Sequence, residues 1–179
     1  MRELKSNLRK TYLGNDNWKT HLRAILLDGD DIYIYRFLYN LRRYEYSIKK
    51  KTSLLTKIER IWYLRKYQKY ARILGYVIGD GVLGEDVILY HRASIIINPD
   101  ARVGDGCKFH GDCCIGVLRT NETGCPVIGN NVDIGAGVKI LGDIYIADNI
   151  VIGANSVVTK TFDEAGITIA GIPARRISK

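Results

Sequence analysis

A parallel β-helix preceded by a basic helical region is the fold class this sequence predicts, and three observations predict it. The first is a beat of six: Ile128, Ile134, Ile140, Ile146, Ile152 and Val158 recur at that constant spacing. The second is what accompanies the beat. Gly129, Gly135 and Gly153 follow three of these aliphatics, and Val132, Val138, Ile144, Ile150 and Ser156 stand four residues after them. Neither a 3.6-residue helical period nor plain alternation produces this pattern. A fixed short period marks a repeat architecture. Six-residue repeats suit one short strand per repeat and three repeats per coil, with the aliphatic inside and a small residue at the corner. The third observation is a break in composition. Residues 1–75 carry 18 Lys and Arg against 7 Asp and Glu, and residues 76–179 carry 9 against 12. Nine of the 12 tyrosines also lie in 1–75.

The chain therefore divides into a helical basic region over 1–75, a β-helix over 76–162 with a loop at 117–127, and a C-terminal tail over 163–179. In the first region Asp16 or Asn17 caps a helix running to Leu27, and Asp31 caps a second that runs to about Ile48. A third spans Ser53 to Leu74, with Leu54, Ile58, Ile61 and Trp62 as its apolar face. The basic polar faces admit contact with an anionic membrane surface or simple solvation. No recognition motif for nucleic acid accompanies the charge. From Val77 the beat runs through Leu83 and Leu89. It slips by two residues, then resumes at Ile97, Val103, Phe109 and Ile115. Val117–Val127 breaks it again, with Gly124 and Pro126 as loop residues. Breaks in a strict repeat are where function is expected.

The composition excludes several classes. No run of 18 apolar residues is present, so no membrane-spanning helix is expected, and the charged start MRELKSNLRK does not read as a signal peptide. A cytoplasmic location follows as the expectation, with peripheral contact at the inner face of the membrane as its extension. Cys107, Cys113, Cys114 and Cys125 lack metal-site spacing and read as reduced thiols, two of them at small-residue positions of the repeat.

Several stretches together resemble one family. They are Leu89-Tyr90-His91, Ser94-Ile95-Ile96-Ile97-Asn98, Pro126-Val127-Ile128-Gly129, Ile134-Gly135-Ala136-Gly137, Ile152-Gly153-Ala154-Asn155, Val157-Val158-Thr159-Lys160 and Ala170-Gly171-Ile172-Pro173-Ala174. The chain resembles the hexapeptide-repeat acyltransferases over residues 76–176. The likeness is greatest to serine acetyltransferases and to their shorter relatives in capsule and exopolysaccharide synthesis. The resemblance implies a left-handed β-helix, acetyl-CoA as co-substrate, no metal, and a homotrimer whose sites lie between adjacent prisms.

It also implies roles. His91 matches the family's catalytic histidine and would act as general base, since an alcohol needs its proton removed to attack a thioester. His110, about one coil later, is a candidate for acceptor binding. His21 reads as surface. Ala136 and Ala154 would offer backbone to the pantetheine arm, with Thr159 and Lys160 nearby, and Arg175 would pair with a phosphate. Three positions depart from the serine acetyltransferase pattern. Tyr76 stands where an aspartate orients the histidine, with Asp80, Glu85 or Asp86 as possible substitutes. Tyr90 and Cys125 stand where an aspartate and a second histidine flank the site. These departures point to a sugar or polysaccharide hydroxyl as acceptor. The alternatives are free serine, as in cysteine synthesis, and a non-catalytic trimeric scaffold.

Overall fold

The computed structural model describes residues 2–13, 29–119 and 123–178. The chain forms two compact units, Met1–Gly75 and Tyr76–Lys179.

In the first unit, three helices are found among the described residues: α1 (Arg2–Leu13), α2 (Asp30–Lys49) and α3 (Leu54–Leu74). The expected helix from Asp16 or Asn17, and His21 with it, lie outside the described residues. Helix α2 starts two residues earlier than expected, with Gly29 rather than Asp31 at its N-cap. Asp30 and Asp31 instead occupy the first turn, where the unpaired N–H groups favour negative charge. Helix α3 is capped by Ser53. The Ser53 hydroxyl accepts from the Thr56 backbone N–H while the Thr56 hydroxyl accepts from that of Ser53. Gly75, with φ +79°, ends the helix in the left-handed conformation.

Helices α2 and α3 pack against one another. Ile34, Phe37, Leu38 and Leu41 are buried on one side, Tyr63, Tyr67, Ala71 and Leu74 on the other. The Phe37 and Tyr67 rings meet edge-on, with centroids 6.3 Å apart. Arg60 donates to the carbonyls of Ser47, Ile48 and Lys50, satisfying the C-terminal end of α2. Glu59 takes hydrogen bonds from Lys50 and Arg43, and the Lys50 bond leads in holding its carboxyl below the usual range. The face of α3 predicted to be buried is the wrong one. Leu54, Ile58, Ile61 and Trp62 are 75%, 58%, 54% and 50% exposed. Tyr63, Tyr67 and Ala71 recur at the same four-residue spacing, and their rings and methyl fill the side towards α2.

The second unit is a three-faced parallel β-helix. Its first face stacks β1 (Tyr76–Val77), β3 (Ile95–Ile97), β6 (Cys113–Gly116), β9 (Lys139–Leu141) and β12 (Val157–Val158). The second stacks β4 (Arg102–Val103), β7 (Val127–Ile128) and β10 (Tyr145–Ile146), extended by single bridges at Leu83 and Phe162. The third stacks β2 (Ile88–Leu89), β5 (Lys108–Phe109), β8 (Asp133–Ile134), β11 (Val151–Ile152) and β13 (Thr168–Gly171), and β14 (Ala174–Ser178) adds an antiparallel sixth strand. Five strands on the first face make five coils.

The beat of six is the line of side chains inside this prism. Ile128, Ile134, Ile140, Ile146, Ile152 and Val158 are each 2% exposed or less. Each such burial contributes about 1.5–3 kcal/mol. Across the loop the register offset on the third face is 25 residues, Phe109 to Ile134, against 18 for Ile134 to Ile152, so seven residues are extra.

Two expectations are corrected here. Val77 does not carry the beat: it pairs with Ile96 on the outside and is 61% exposed, while Ile78, at 5%, takes the inward slot. Side chains alternate along a strand, so one residue's difference reverses the direction. The β-helix also does not stop at 162. Ile167 and Ile169 are buried in the same interior and β13 pairs with β11, so the fifth coil runs to Gly171.

Candidate active site

The three faces meet at three edges, and each edge is a column of corner residues. On the edge between the third and first faces, Phe109 and Cys113 are joined by a three-residue corner, whereas Leu89 and Ile95 are joined by five, Tyr90–Ser94. His91 lies in this widened corner and is exposed. The two-residue slip in the sequence is therefore a local bulge of the coil that pushes His91 outwards.

The bulge is held at both ends. The Tyr76 hydroxyl donates to the His91 carbonyl over 2.8 Å. Tyr76 itself is 4% exposed, so the start of the first coil is tied to its end. The Ser94 backbone N–H donates to Asp112 Oδ1 on the next coil over 3.2 Å. Asp112 and Gly111 have φ of +52° and +105°. A Cβ on Gly111 would come within 2.8 Å of the Ala93 Cβ, so glycine there lets the enlarged corner rest on the coil beside it.

Beside His91 lies a second cluster that the sequence did not assemble. The Tyr90 and His110 rings stack with centroids 4.6 Å apart and planes 19° apart. The backbones follow suit, the Tyr90 N–H donating to the Phe109 carbonyl and the His110 N–H to that of Ile134. His110 Nε2 lies 2.7 Å from Asp133 Oδ1. An ionised carboxylate only accepts, so Nε2 carries a proton in this pair. The Tyr90 and His91 rings are 6.4 Å apart. Asp133 was not singled out from sequence. Its signal was the register: once the seven loop residues are counted, it stands one coil from Lys108, two residues short of the His110 row.

The same edge continues downwards through small residues. After His110 come Gly135, Gly153 and Ala170 in the row, and Ala136 and Ala154 project at the exposed corners. The structure thus brings His91, His110, Ala136 and Ala154 to one edge. Arg175 stands opposite Ala170 in the terminal hairpin, exposed, near the end of that edge. Thr159 and Lys160 are not there. They occupy the corner between the first and second faces, after β12, where the Lys160 ammonium is 5.2 Å from the Phe162 ring centroid. The loop also leaves from that corner, between β6 and β7, and its residues 120–122 lie outside the described residues. Asp80, Glu85 and Asp86 are exposed on the other two edges, away from His91 of the same chain, so within one chain none of them stands where it could orient that ring.

Three of the four thiols are poor nucleophiles. Burial pushes Cys107 up to about 11, and its Sγ–H points to the Gly129 carbonyl. Burial likewise raises Cys113 and Cys125. Among the described residues no group of three His, Cys, Asp or Glu side chains could hold a metal ion, and no helix is long and apolar enough to cross a membrane.

Comparison with known proteins places this geometry. Residues 125–160 match the family described as bacterial transferase hexapeptide (six repeats). A serine acetyltransferase of Synechococcus elongatus is 38% identical over 96 residues, covering 53% of this chain and 39% of its own. A putative colanic acid biosynthesis acetyltransferase of Escherichia coli is 32% identical over 87 residues, 49% of this chain and 54% of its own. The crystal structure of serine acetyltransferase from Brucella abortus in complex with coenzyme A superposes with a TM-score of 0.70 at 23% identity. That match covers 98% of this chain and 66% of the other. The chain spans about half the length of the curated relatives it matches. The fold is a left-handed parallel β-helix of the hexapeptide-repeat type with an N-terminal helical unit, similar to that of serine acetyltransferases.

Proposed function

We propose that this protein is an acetyl-CoA-dependent O-acetyltransferase with His91 as its general base. The observation that carries the reading is the placement of His91. It is the exposed imidazole at a bulge in an otherwise regular edge, with its backbone pinned by Tyr76 and a column of small residues running away from it. In the reaction, His91 takes the proton of the acceptor hydroxyl as its oxygen attacks the thioester carbonyl. The tetrahedral oxyanion collapses, the C–S bond breaks, and the coenzyme A thiolate leaves with the proton that His91 took up. The raised thiols of Cys107, Cys113 and Cys125 support direct transfer over a covalent acyl-enzyme.

The small side chains of Ala136 and Ala154 suit close approach of a pantetheine arm, and Arg175 suits a phosphate. Thr159, Lys160 and the loop lie on a different edge from His91. A site between adjacent prisms of a homotrimer accounts for both sets, each subunit supplying one edge. The cytoplasm, where acetyl-CoA is made available, is the location this reading requires.

For the acceptor, the relatives named serine acetyltransferase favour free serine over the sugar hydroxyl that the sequence departures suggested. Beyond the sequence departures, the sugar reading is supported by the Tyr90 ring stacked on His110 beside His91, which offers a flat aromatic face, and by the relative named as a putative colanic acid biosynthesis acetyltransferase. Steady-state assay of the purified chain with acetyl-CoA, against serine and against nucleotide sugars, separates the two. His91→Ala is expected to lower kcat roughly 10²–10⁴-fold. A folded His91→Ala variant with unchanged turnover, or failure of the native protein to bind coenzyme A, would overturn the reading and leave the scaffold role.

A further inference from the structure

The exposed face of α3 combines two features that nothing in the acetyl-transfer reading uses. Its first two turns present Leu54, Leu55, Ile58, Ile61 and Trp62, from 50% to 79% exposed. This stripe extends about 12 Å along the axis. Its continuation in the last turns is basic: Arg65, Lys69 and Arg72 are exposed, and Lys57 flanks the apolar part. None of these four is ion-paired among the described residues. Lys66 lies 4.1 Å from the Trp62 ring centroid, its ammonium resting over the indole at the border between the two parts. The helix has a single acidic residue, Glu59, and it points the other way, into Arg43 and Lys50.

We propose that this face of α3 docks on an anionic lipid surface, the apolar turns entering the headgroup–acyl boundary and the basic residues meeting lipid phosphates. The argument for that occupant is charge. A second copy meeting this helix face to face would present the same apolar and cationic stripe, whose one acidic residue, Glu59, is already engaged by Arg43 and Lys50. An anionic bilayer supplies both an apolar layer and negative charge above it. A polar aqueous role for this helix leaves five large apolar side chains in water in one patch. Trp62 under a lysine ammonium has the amphipathic form that suits an interface, ring inwards and charge outwards.

The test is cosedimentation of the full chain with vesicles of phosphatidylcholine alone and of phosphatidylcholine with 30% phosphatidylglycerol, at low and high salt. A Trp18→Phe background makes Trp62 the one fluorescent indole. The expected result is binding to the phosphatidylglycerol vesicles with a blue shift of Trp62 emission, weakened by salt. Each of Lys69→Gln and Arg72→Gln should weaken binding on the order of fivefold. Ile58→Ser with Ile61→Ser should weaken it at least tenfold while circular dichroism and acetyl transfer stay unchanged, since both side chains are already exposed. Absence of binding, indifference to phosphatidylglycerol, or an unaffected double variant overturns the proposal. So does sedimentation showing that the serine substitutions instead split an oligomer, which would make the face a contact between copies.

Discussion

Tyr76→Phe tests how the His91 corner is held. The Tyr76 hydroxyl donates to the His91 carbonyl over 2.8 Å, and the phenol is buried while the histidine ring is exposed. Phenylalanine keeps the ring in its inward slot and removes the donor. A hydrogen bond between neutral, partly buried groups has a net worth of about 0.5–1.5 kcal/mol. If all of that were expressed in the transition state, kcat would fall roughly 2- to 13-fold. Loss of the general base itself is worth about 10²–10⁴-fold, so the two variants should differ by roughly eightfold at the least. The assay is steady-state acetyl transfer for native, Tyr76→Phe and His91→Ala proteins, with thermal unfolding in parallel. Tyr76→Phe should also lower the melting temperature by roughly 1–6 °C at this chain length. Two results would refute the reasoning. If Tyr76→Phe were as damaging as His91→Ala, the phenol would be acting on the reacting atoms. If it changed neither turnover nor melting, the bond would position nothing.

Two further outcomes follow from the core. The Cys107 thiol is held protonated by burial, at about 11 against an ordinary 9.0. The folded state therefore keeps a proton that the unfolded state releases, and stability is full below pH 9 and lost as pH rises towards 11. The loss is roughly 2–3 kcal/mol, read as a steeper decline in urea stability from pH 8 to 11 for the native protein than for Cys107→Ala; identical slopes would sink the assignment. Ile146 is fully buried between Ile128 and Phe162 of the adjoining coils. Ile146→Asp should prevent the β-helix from folding, because an unpaired buried carboxylate costs more than the ~1.5–3 kcal/mol that the isoleucine contributes. A variant with native circular dichroism and melting temperature would contradict the inward assignment.

Legibility followed the strength of the local pattern. The run Ile128–Val158 was readable because a prism interior accepts one aliphatic per face per coil, and every violation would cost burial energy at a fixed place. The third helix was readable in extent, from its Ser53 cap to its glycine stop at Gly75. Its buried face was not. Leu54, Ile58, Ile61 and Trp62 have helical spacing, but so do Tyr63, Tyr67 and Ala71, and hydrophobicity alone ranks the wrong set first. Tyrosines won because their rings fill the space against α2. At the first coil the beat misled by one residue, since Val77 and Ile78 are equally apolar and only the pairing of Val77 with Ile96 decides which points inwards.

The sequence by itself determined the repeat, the number of residues per coil, the two breaks and the histidine at the first of them. These are one-dimensional properties, carried by spacing and by the chemistry of single side chains. Only the tertiary structure decided which residues share an edge. It set Tyr90 against His110, brought Asp133 to His110 across 23 positions, tied Tyr76 to His91, and put Thr159 and Lys160 on another corner. The reason is that neighbours in a β-helix are set by cumulative register: every inserted residue, two at the bulge and seven at the loop, shifts the partner of all that follows.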